Sequence, residues 1–208
     1  MLQPYEYNFI KKEITHLIDI YKTVNDKDTI MTSQAIVKNN IYPLLGAELY
    51  EAIRVDYLDI RLTNAKAEKI FTRIKNDVIP FQTPSEKQIE KAFRKVKKLK
   101  YPRLETFDLQ ETNYLAWDDI GTSRKYLTYM NEGKFTGIYG TMSTNVIKNV
   151  CAICNKIDNV AMFMTTTKTS GDGTYTKKGN YICKDSEKCN CQMETMTHFH
   201  TFYQTVSK

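Results

Sequence analysis

Apolar side chains in the first 82 residues recur at helical intervals. In the first stretch they are three or four positions apart, the spacing of one helix face: Ile10, Ile14, Leu17, Ile18 and Tyr21. Three similar stretches follow, around residues 36–37, 44–53 and 70–78, and Thr63 is a suitable N-cap for the last. No stretch has an apolar face wide enough to be stable alone. The pattern therefore predicts an antiparallel bundle of about four helices.

A basic amphipathic helix is predicted next, from Thr83 to the proline at position 102. Thr83, Pro84 and Glu86 form a helix start with a cap and a proline at the first helical position. Its apolar stripe is Ile89, Ala92, Phe93, Val96 and Leu99, and cations surround it: Lys87, Lys91, Arg94, Lys95, Lys97, Lys98 and Lys100. We place the domain boundary before this helix, which gives domains of residues 1–82 and 83–208.

Beyond this helix the apolar period shifts toward two, which predicts strands. One hairpin is expected to turn at residues 131–133 and another at residues 170–173. Residues 194–206 are helical again, with an apolar face of Met196, Phe199, His200, Tyr203 and Val206. Phe202 lies at the margin of that face, where it could complete the core or contact a partner. The second domain is therefore predicted to be α/β.

The charge is distributed unevenly between the two predicted domains. Residues 1–82 carry 11 basic and 11 acidic side chains, whereas residues 83–208 carry 19 and 13, which accounts for the net charge of +6. No apolar run reaches the roughly 20 residues of a membrane span, and the N-terminus does not resemble a signal peptide. We therefore expect a cytoplasmic protein with no membrane association, in a compartment where structural disulfides are disfavoured.

All five cysteines lie after residue 150. Cys151 and Cys154 form a C-x2-C pair, which presents two thiolates to one tetrahedral ion. A second pair begins at Cys183, beyond the predicted hairpin, and its partner is either Cys189 or Cys191. A knuckle, a hairpin and a helix that carries the last ligand predict a four-cysteine treble-clef site for one structural Zn²⁺. His198 and His200 are expected to be helix residues rather than ligands.

Catalytic motifs are missing from the sequence. It has no phosphate-binding glycine motif, no G-x-S-x-G and no H-E-x-x-H. Asp118 and Asp119 are adjacent on a predicted strand, so their side chains face opposite ways and cannot share a proton. The expectation is a protein that is not an enzyme. The basic helix and the Lys177–Lys178 pair suit either an acidic protein partner or nucleic acid.

Four stretches carry a resemblance to a known family: YKTVNDKDT, PSEKQIEKAFRKVKKLKYP, SRKYLTY and CAICNK…YTKKGNYICKDSEKCN. In this order, across residues 21–190, the chain resembles the FusB-type fusidic acid resistance proteins, which bind elongation factor G. The resemblance implies a helical bundle followed by an α/β domain that ends in a treble-clef zinc finger. It also implies a non-enzymatic role, in which binding helps the factor leave ribosomes on which fusidic acid has trapped it.

The resemblance also selects individual residues. It places the zinc ligands at Cys151, Cys154, Cys183 and Cys189, which leaves Cys191 without a counterpart. It places contacts with elongation factor G at Lys178, Tyr181 and Phe202. Val150 departs from the pattern, because relatives often have an aromatic residue there. The alternative function is a zinc-containing RNA- or ribosome-binding protein that acts through the basic helix and the lysine hairpin.

Overall fold

Two compact units make up the chain in a computed structural model that describes residues 1–168 and 175–207, without the side chains of residues 167 and 168. The units are Met1–Pro80 and Phe81–Lys208. The division lies two residues before the boundary that the composition and charge suggested. None of the described helices combines the length and the apolar character that a bilayer crossing requires.

The first unit consists of helices around one apolar core. Helix α1 is Pro4–Thr23, α2 is Lys27–Leu58 and α3 is Asn64–Lys75. α1 buries the face that the spacing predicted, including Ile10, Ile14, Leu17 and Ile18. The side chain of Thr63 accepts a hydrogen bond from the backbone N–H of Lys66, as an N-cap should.

Helix α2 combines the second and third predicted segments. Its two parts meet at a kink at Gly46, where φ is 73°, three residues after Pro43. A proline inside a helix removes one backbone donor and a positive φ breaks the helical path, so the two parts differ in direction. Ile36, which the pattern assigned to an apolar segment, is 55% exposed, whereas Val37 beside it is buried.

The second unit is built on a five-stranded antiparallel sheet in the order β1-β2-β3-β4-β5. The strands are Leu115–Asp119, Arg124–Asn131, Lys134–Val150, Ile157–Lys168 and Tyr175–Cys183. The predicted turn between β2 and β3 is confirmed, with positive φ at Glu132 and Gly133. The predicted β4–β5 hairpin is also present, but its turn at residues 170–173 lies outside the described residues.

The basic helix is much shorter than predicted. Helix α4 is Glu86–Ala92, and its N-cap is Ser85, which forms a capping box with Gln88, rather than Thr83. The chain leaves the helix at Phe93 because its ring turns onto the sheet, edge-on to Trp117 at 5.5 Å and to Tyr126 at 5.4 Å. The ring lies over Gly137, where a Cβ atom would overlap it. The predicted stripe residues Val96 and Leu99 still pack against the cluster that contains Phe93, Trp117 and Tyr126, but they are not part of a helix.

Two helices complete the other face of the sheet. Helix α5 is Ser186–Gln192 and helix α6 is Thr197–Ser207. α6 begins three residues later than predicted and buries Phe199, Phe202 and Val206. Phe199 packs against Tyr129 with a ring separation of 4.8 Å and against Tyr114 at 5.0 Å. His200, assigned to the apolar face, is exposed.

Candidate metal centre and partner-binding surface

Four cysteine sulfurs converge in the second unit. The ligand atoms of Cys151, Cys154, Cys183 and Cys189 lie within 4.8 Å of one another, and all four residues are buried. The sulfurs of Cys151 and Cys189 are 3.8 Å apart, and those of Cys154 and Cys183 are 3.7 Å apart. Four sulfurs about 2.3 Å from a tetrahedral zinc ion would be about 3.8 Å from each other. The donor set and its dimensions therefore fit one structural Zn²⁺.

Three separate elements bring these cysteines together. Cys151 and Cys154 lie in a tight turn directly after β3, which we call the zinc knuckle (residues 151–154). Cys183 ends β5 and Cys189 lies in α5. The backbone N–H groups of Ile153 and Cys183 both point at the Cys151 sulfur, at 3.3 Å. This knuckle, hairpin and helix form the predicted treble clef.

The knuckle is also hydrogen-bonded to the last strand of the sheet. The backbone N–H of Ala152 donates to the carbonyl oxygen of Tyr181 at 2.8 Å. Asp185 caps α5 by accepting from the backbone N–H groups of Glu187 and Lys188. The metal ligands are therefore tied to β5 at one side and to a capped helix at the other.

Close packing of four thiols strongly perturbs their acidity. Hydrogen bonds from Cys154, Cys183 and Cys189 hold the pKa of the Cys151 thiol far below its usual range. Cys151 in turn raises the pKa of Cys183 and of Cys189 well above the usual value. Adjacent thiolates repel, so the cluster cannot ionise completely without a cation. A divalent ion removes that repulsion and allows all four sulfurs to bind as thiolates.

Cys191 is outside this cluster. It is exposed, and its thiol donates to Glu111 Oε2 at 3.2 Å. Within a helix, residues 189 and 191 are two positions apart and point about 200° from each other, so only one can face the metal. The structure thus selects Cys189, in agreement with the ligand set that the resemblance implies.

Asn190 fixes the segment before β1 to the metal-binding helix, a role that no sequence motif indicates. Its side-chain oxygen accepts from the backbone N–H of Asn113 at 2.6 Å and of Tyr114 at 3.2 Å. Its side-chain nitrogen donates to the Tyr114 carbonyl at 3.1 Å. Burial, followed by the nearby Cys189 sulfur, raises the pKa of the Tyr114 phenol well above 10. The Tyr114 phenol therefore lies near the cysteine cluster.

A buried lysine connects the sheet to α5. Lys125 is 1% exposed, and its ammonium donates to Ser186 Oγ at 2.8 Å and to Asp118 Oδ2 at 3.3 Å. Burial lowers the pKa of Lys125, and Asp118 opposes that effect. Asp118 and Asp119 face opposite ways as predicted, since Asp119 pairs with Lys100 instead. Lys125 therefore supports the position of the helix that carries Cys189.

Two of the three predicted partner contacts lie on β5, but on opposite faces of it. Lys178 is opposite Thr165 in the register, and Tyr181 is opposite Met162. Because strand residues three positions apart point to different faces, the two side chains cannot form one compact patch. Both side chains are half-buried. Their role in binding elongation factor G stays a prediction, and a partner that contacts both must wrap around the edge of the sheet.

Phe202, the third predicted contact, is 2% exposed and packs against Phe163 with a ring separation of 5.8 Å. A side chain buried to this extent offers a partner almost no surface. Of the two roles that the sequence allowed, the structure supports the packing role. The expectation that this ring sits at the margin of the α6 face is wrong, because the buried face is centred on Phe199, Phe202 and Val206.

We expect Phe202→Ala to destabilise the second unit by about 3–5 kcal/mol, the usual cost of truncating a buried phenylalanine. Phe202→Leu should cost clearly less, since it keeps most of the buried volume. Thermal unfolding followed by tryptophan fluorescence would measure both, because the single Trp117 lies in this unit. Wild-type stability in Phe202→Ala, together with a selective loss of partner binding, would contradict the packing role.

Comparisons with known proteins agree with this architecture. Residues 1–82 match the family described as elongation factor G-binding protein, N-terminal. Residues 88–202 match the family described as FBP C-terminal treble-clef zinc-finger. No curated protein matches the chain at a significant level.

A solved structure is similar over almost the entire chain. It is described as the structure of the fusidic acid resistance protein FusC, with 36% sequence identity and a TM-score of 0.93. The match covers 99% of this chain and 97% of that one. Since a zinc-finger family matches more than half of the residues and the relative is similar throughout, the chain belongs to the FusB-type family of fusidic acid resistance proteins.

Proposed function

We propose that this protein binds elongation factor G and promotes its release from ribosomes that fusidic acid has stalled. Resistance would then arise by protection of the target, with no chemical change to the drug. The observation that carries the proposal is the 36% identity with a fusidic acid resistance protein over 99% of the chain. A role in translation would place the protein in the cytoplasm.

The surface around the zinc knuckle is suited to a protein partner. Tyr181 lies two residues before a metal ligand, and its carbonyl oxygen is bound by the knuckle, so its backbone is held in place. Val150 and Ile157 are directly opposite each other in β3 and β4, and they are 45% and 72% exposed. Exposed apolar side chains at the end of the sheet that carries the zinc knuckle are typical of a surface that a protein partner covers.

The distribution of charge also supports binding of a protein partner. The whole net charge of +6 belongs to residues 83–208, the part that contains the zinc site. A basic surface accelerates and orients association with an acidic partner surface. Preferential binding to one state of the factor would be sufficient to shift its equilibrium on the ribosome, and no covalent step is required.

Reconstituted translation with fusidic acid tests the proposal directly. Addition of the purified, zinc-loaded protein should restore peptide synthesis at drug concentrations that otherwise stop it. It should not change synthesis when the drug is absent. A sedimentation assay on the same reactions should show elongation factor G moving from the ribosomal pellet to the supernatant.

Different results would distinguish the alternatives. If synthesis recovers while the factor stays in the pellet, the protein protects by a route other than release. If the protein neither binds the factor in a pull-down nor restores synthesis, the proposed function is wrong. Recovery that accompanies loss of the intact drug, measured by mass spectrometry, would reveal an enzyme instead.

A further inference from the structure

Strands β3 and β4 separate halfway along the sheet. They pair from Thr141–Met164 to Val150–Ile157, with a bulge between Met142 and Val146. Among the described residues, those of β3 before Thr141 pair with β2 and not with β4. Those of β4 after Met164 pair with β5 and not with β3. The described parts of the two strands therefore diverge. A groove of about 590 Å³ opens at this point, and α4 and α6 border it.

Positive charge surrounds this groove. Five cationic side chains line it, and none of the described lining residues is acidic: Lys91, Arg94, Lys95, Arg124 and Lys177. They come from three elements that are distant in sequence, α4 with the turn after it, β2 and β5. In the described structure none of the five forms an ion pair, in contrast to Lys100, Lys125 and Lys188 of the same unit. We call this site the basic groove.

Planar groups also line the basic groove. The guanidinium of Arg124 lies 5.3 Å from the centre of the Tyr139 ring. Tyr139 is itself stacked on Tyr126, with ring centres 5.8 Å apart and an angle of 28° between them. The Tyr139 ring therefore supports the Arg124 guanidinium, which lines the groove as a planar cation. Tyr203 of α6 lines the groove as well and is half-buried.

Glycine allows β3 and β4 to pack closely at the point where the two strands separate. A Cβ atom at Gly140 would overlap the carbonyl oxygen of Met164 and the ring of Phe163. The absence of a side chain there allows β3 to approach β4 closely just before the two strands diverge.

We propose that the basic groove binds a nucleoside phosphate unit, either as a free nucleotide or as part of a single-stranded RNA. Unpaired cations favour phosphate groups, and flat guanidinium and aromatic surfaces favour bases. The volume is within the range of pockets that hold a ligand of this size. An acidic peptide would satisfy the charge but would make no use of the planar groups. The inference does not depend on binding of elongation factor G.

Fluorescence anisotropy with the zinc-loaded full chain would test this proposal. The probe is a fluorescein-labelled single-stranded RNA of about 12 nucleotides, within the usual site sizes of such proteins. The groove variant is Lys91→Gln/Lys95→Gln/Lys177→Gln. The matched control is Lys87→Gln/Lys97→Gln/Lys134→Gln, which removes the same charge from exposed positions that do not line the groove.

The groove variant should bind the RNA about tenfold or more weakly near 0.1 M salt. Its plot of log affinity against log salt should be less steep by about two, since each phosphate contact on a single strand contributes about 0.7. The control should keep the wild-type slope. Equal losses in the two variants, or no RNA binding by the wild type, would overturn the proposal.

Competition and one further variant identify the ligand. Arg124→Lys keeps the charge but loses the flat guanidinium, so it should weaken binding of RNA and leave binding of inorganic phosphate unchanged. Displacement of the probe by AMP or GMP would support a free nucleotide, and displacement only by unlabelled RNA would support a strand. If polyglutamate competes as well as RNA and Arg124→Lys has no effect, the groove binds acidic protein segments and the proposal fails.

Discussion

Replacing Cys183 with serine should remove the zinc ion and unfold the second unit. Three of the four sulfurs would remain, but the weaker hydroxyl ligand would replace a thiolate at the centre of the fold. Structural zinc sites contribute on the order of 10 kcal/mol to folding, which is as much as the whole stability of a typical domain. The zinc content measured by metal analysis should fall from one per chain to none. The near-ultraviolet circular dichroism of the aromatic side chains in this unit should be lost.

Cys191→Ser is the matched control for this experiment. It makes the same chemical change only two residues from a ligand, at a cysteine outside the cluster. It should retain one zinc per chain and wild-type stability. The helical unit of residues 1–80 has its own core, so the far-ultraviolet helix signal should persist in Cys183→Ser. A folded and metal-free Cys183→Ser protein would show that zinc is not required for the fold.

Tyr181→Ala should weaken binding to elongation factor G by roughly 30-fold or more, the effect of losing an aromatic hot-spot residue. Tyr181 is half-buried and lies two positions before a metal ligand, and its backbone is fixed by the knuckle, so little backbone entropy is lost on binding. Lys178→Ala should have a smaller effect that increases at low salt, since it removes a charge rather than buried area. Isothermal titration calorimetry would measure both.

Tyr175→Ala is the control, because Tyr175 is in the same strand and 62% exposed but lies at the end remote from the zinc knuckle. Zinc content should be unchanged in all three variants. If Tyr181→Ala and Lys178→Ala bind the factor as well as the wild type, the contacts that the resemblance implies are not used by this chain. If Tyr175→Ala is equally weak, the interface extends over the whole edge strand.

Features that depend on neighbouring residues could be predicted from the sequence. The spacing of Cys151 and Cys154 defines one turn, and the spacing of Ile10, Ile14 and Leu17 defines one helix face. Thr63 and the Asn131–Gly133 turn are also local signals. In each case a few adjacent residues determine the backbone geometry, so the observed structure agrees with the prediction.

Features that depend on residues distant in the sequence do not follow from local patterns. The basic helix ends at Ala92 because Phe93 packs over Gly137, and nothing near Phe93 in the sequence indicates that space. The sequence pattern puts Phe202 at a margin because it includes His200 in the apolar face, whereas in the structure Phe202 packs against Phe163, a residue distant in sequence. The basic groove depends on where two strands part, so no sequence window contains it.

The zinc knuckle also covers part of an edge of the sheet. β5 is the last strand of the sheet, and an uncovered edge strand pairs readily with a strand of another molecule. The Ala152–Tyr181 hydrogen bond occupies one end of this edge, and Lys177 and Lys178 place charge along the rest. Loss of the metal would release the knuckle from the edge. Metal-depleted protein would therefore be prone to strand-to-strand aggregation during purification and storage.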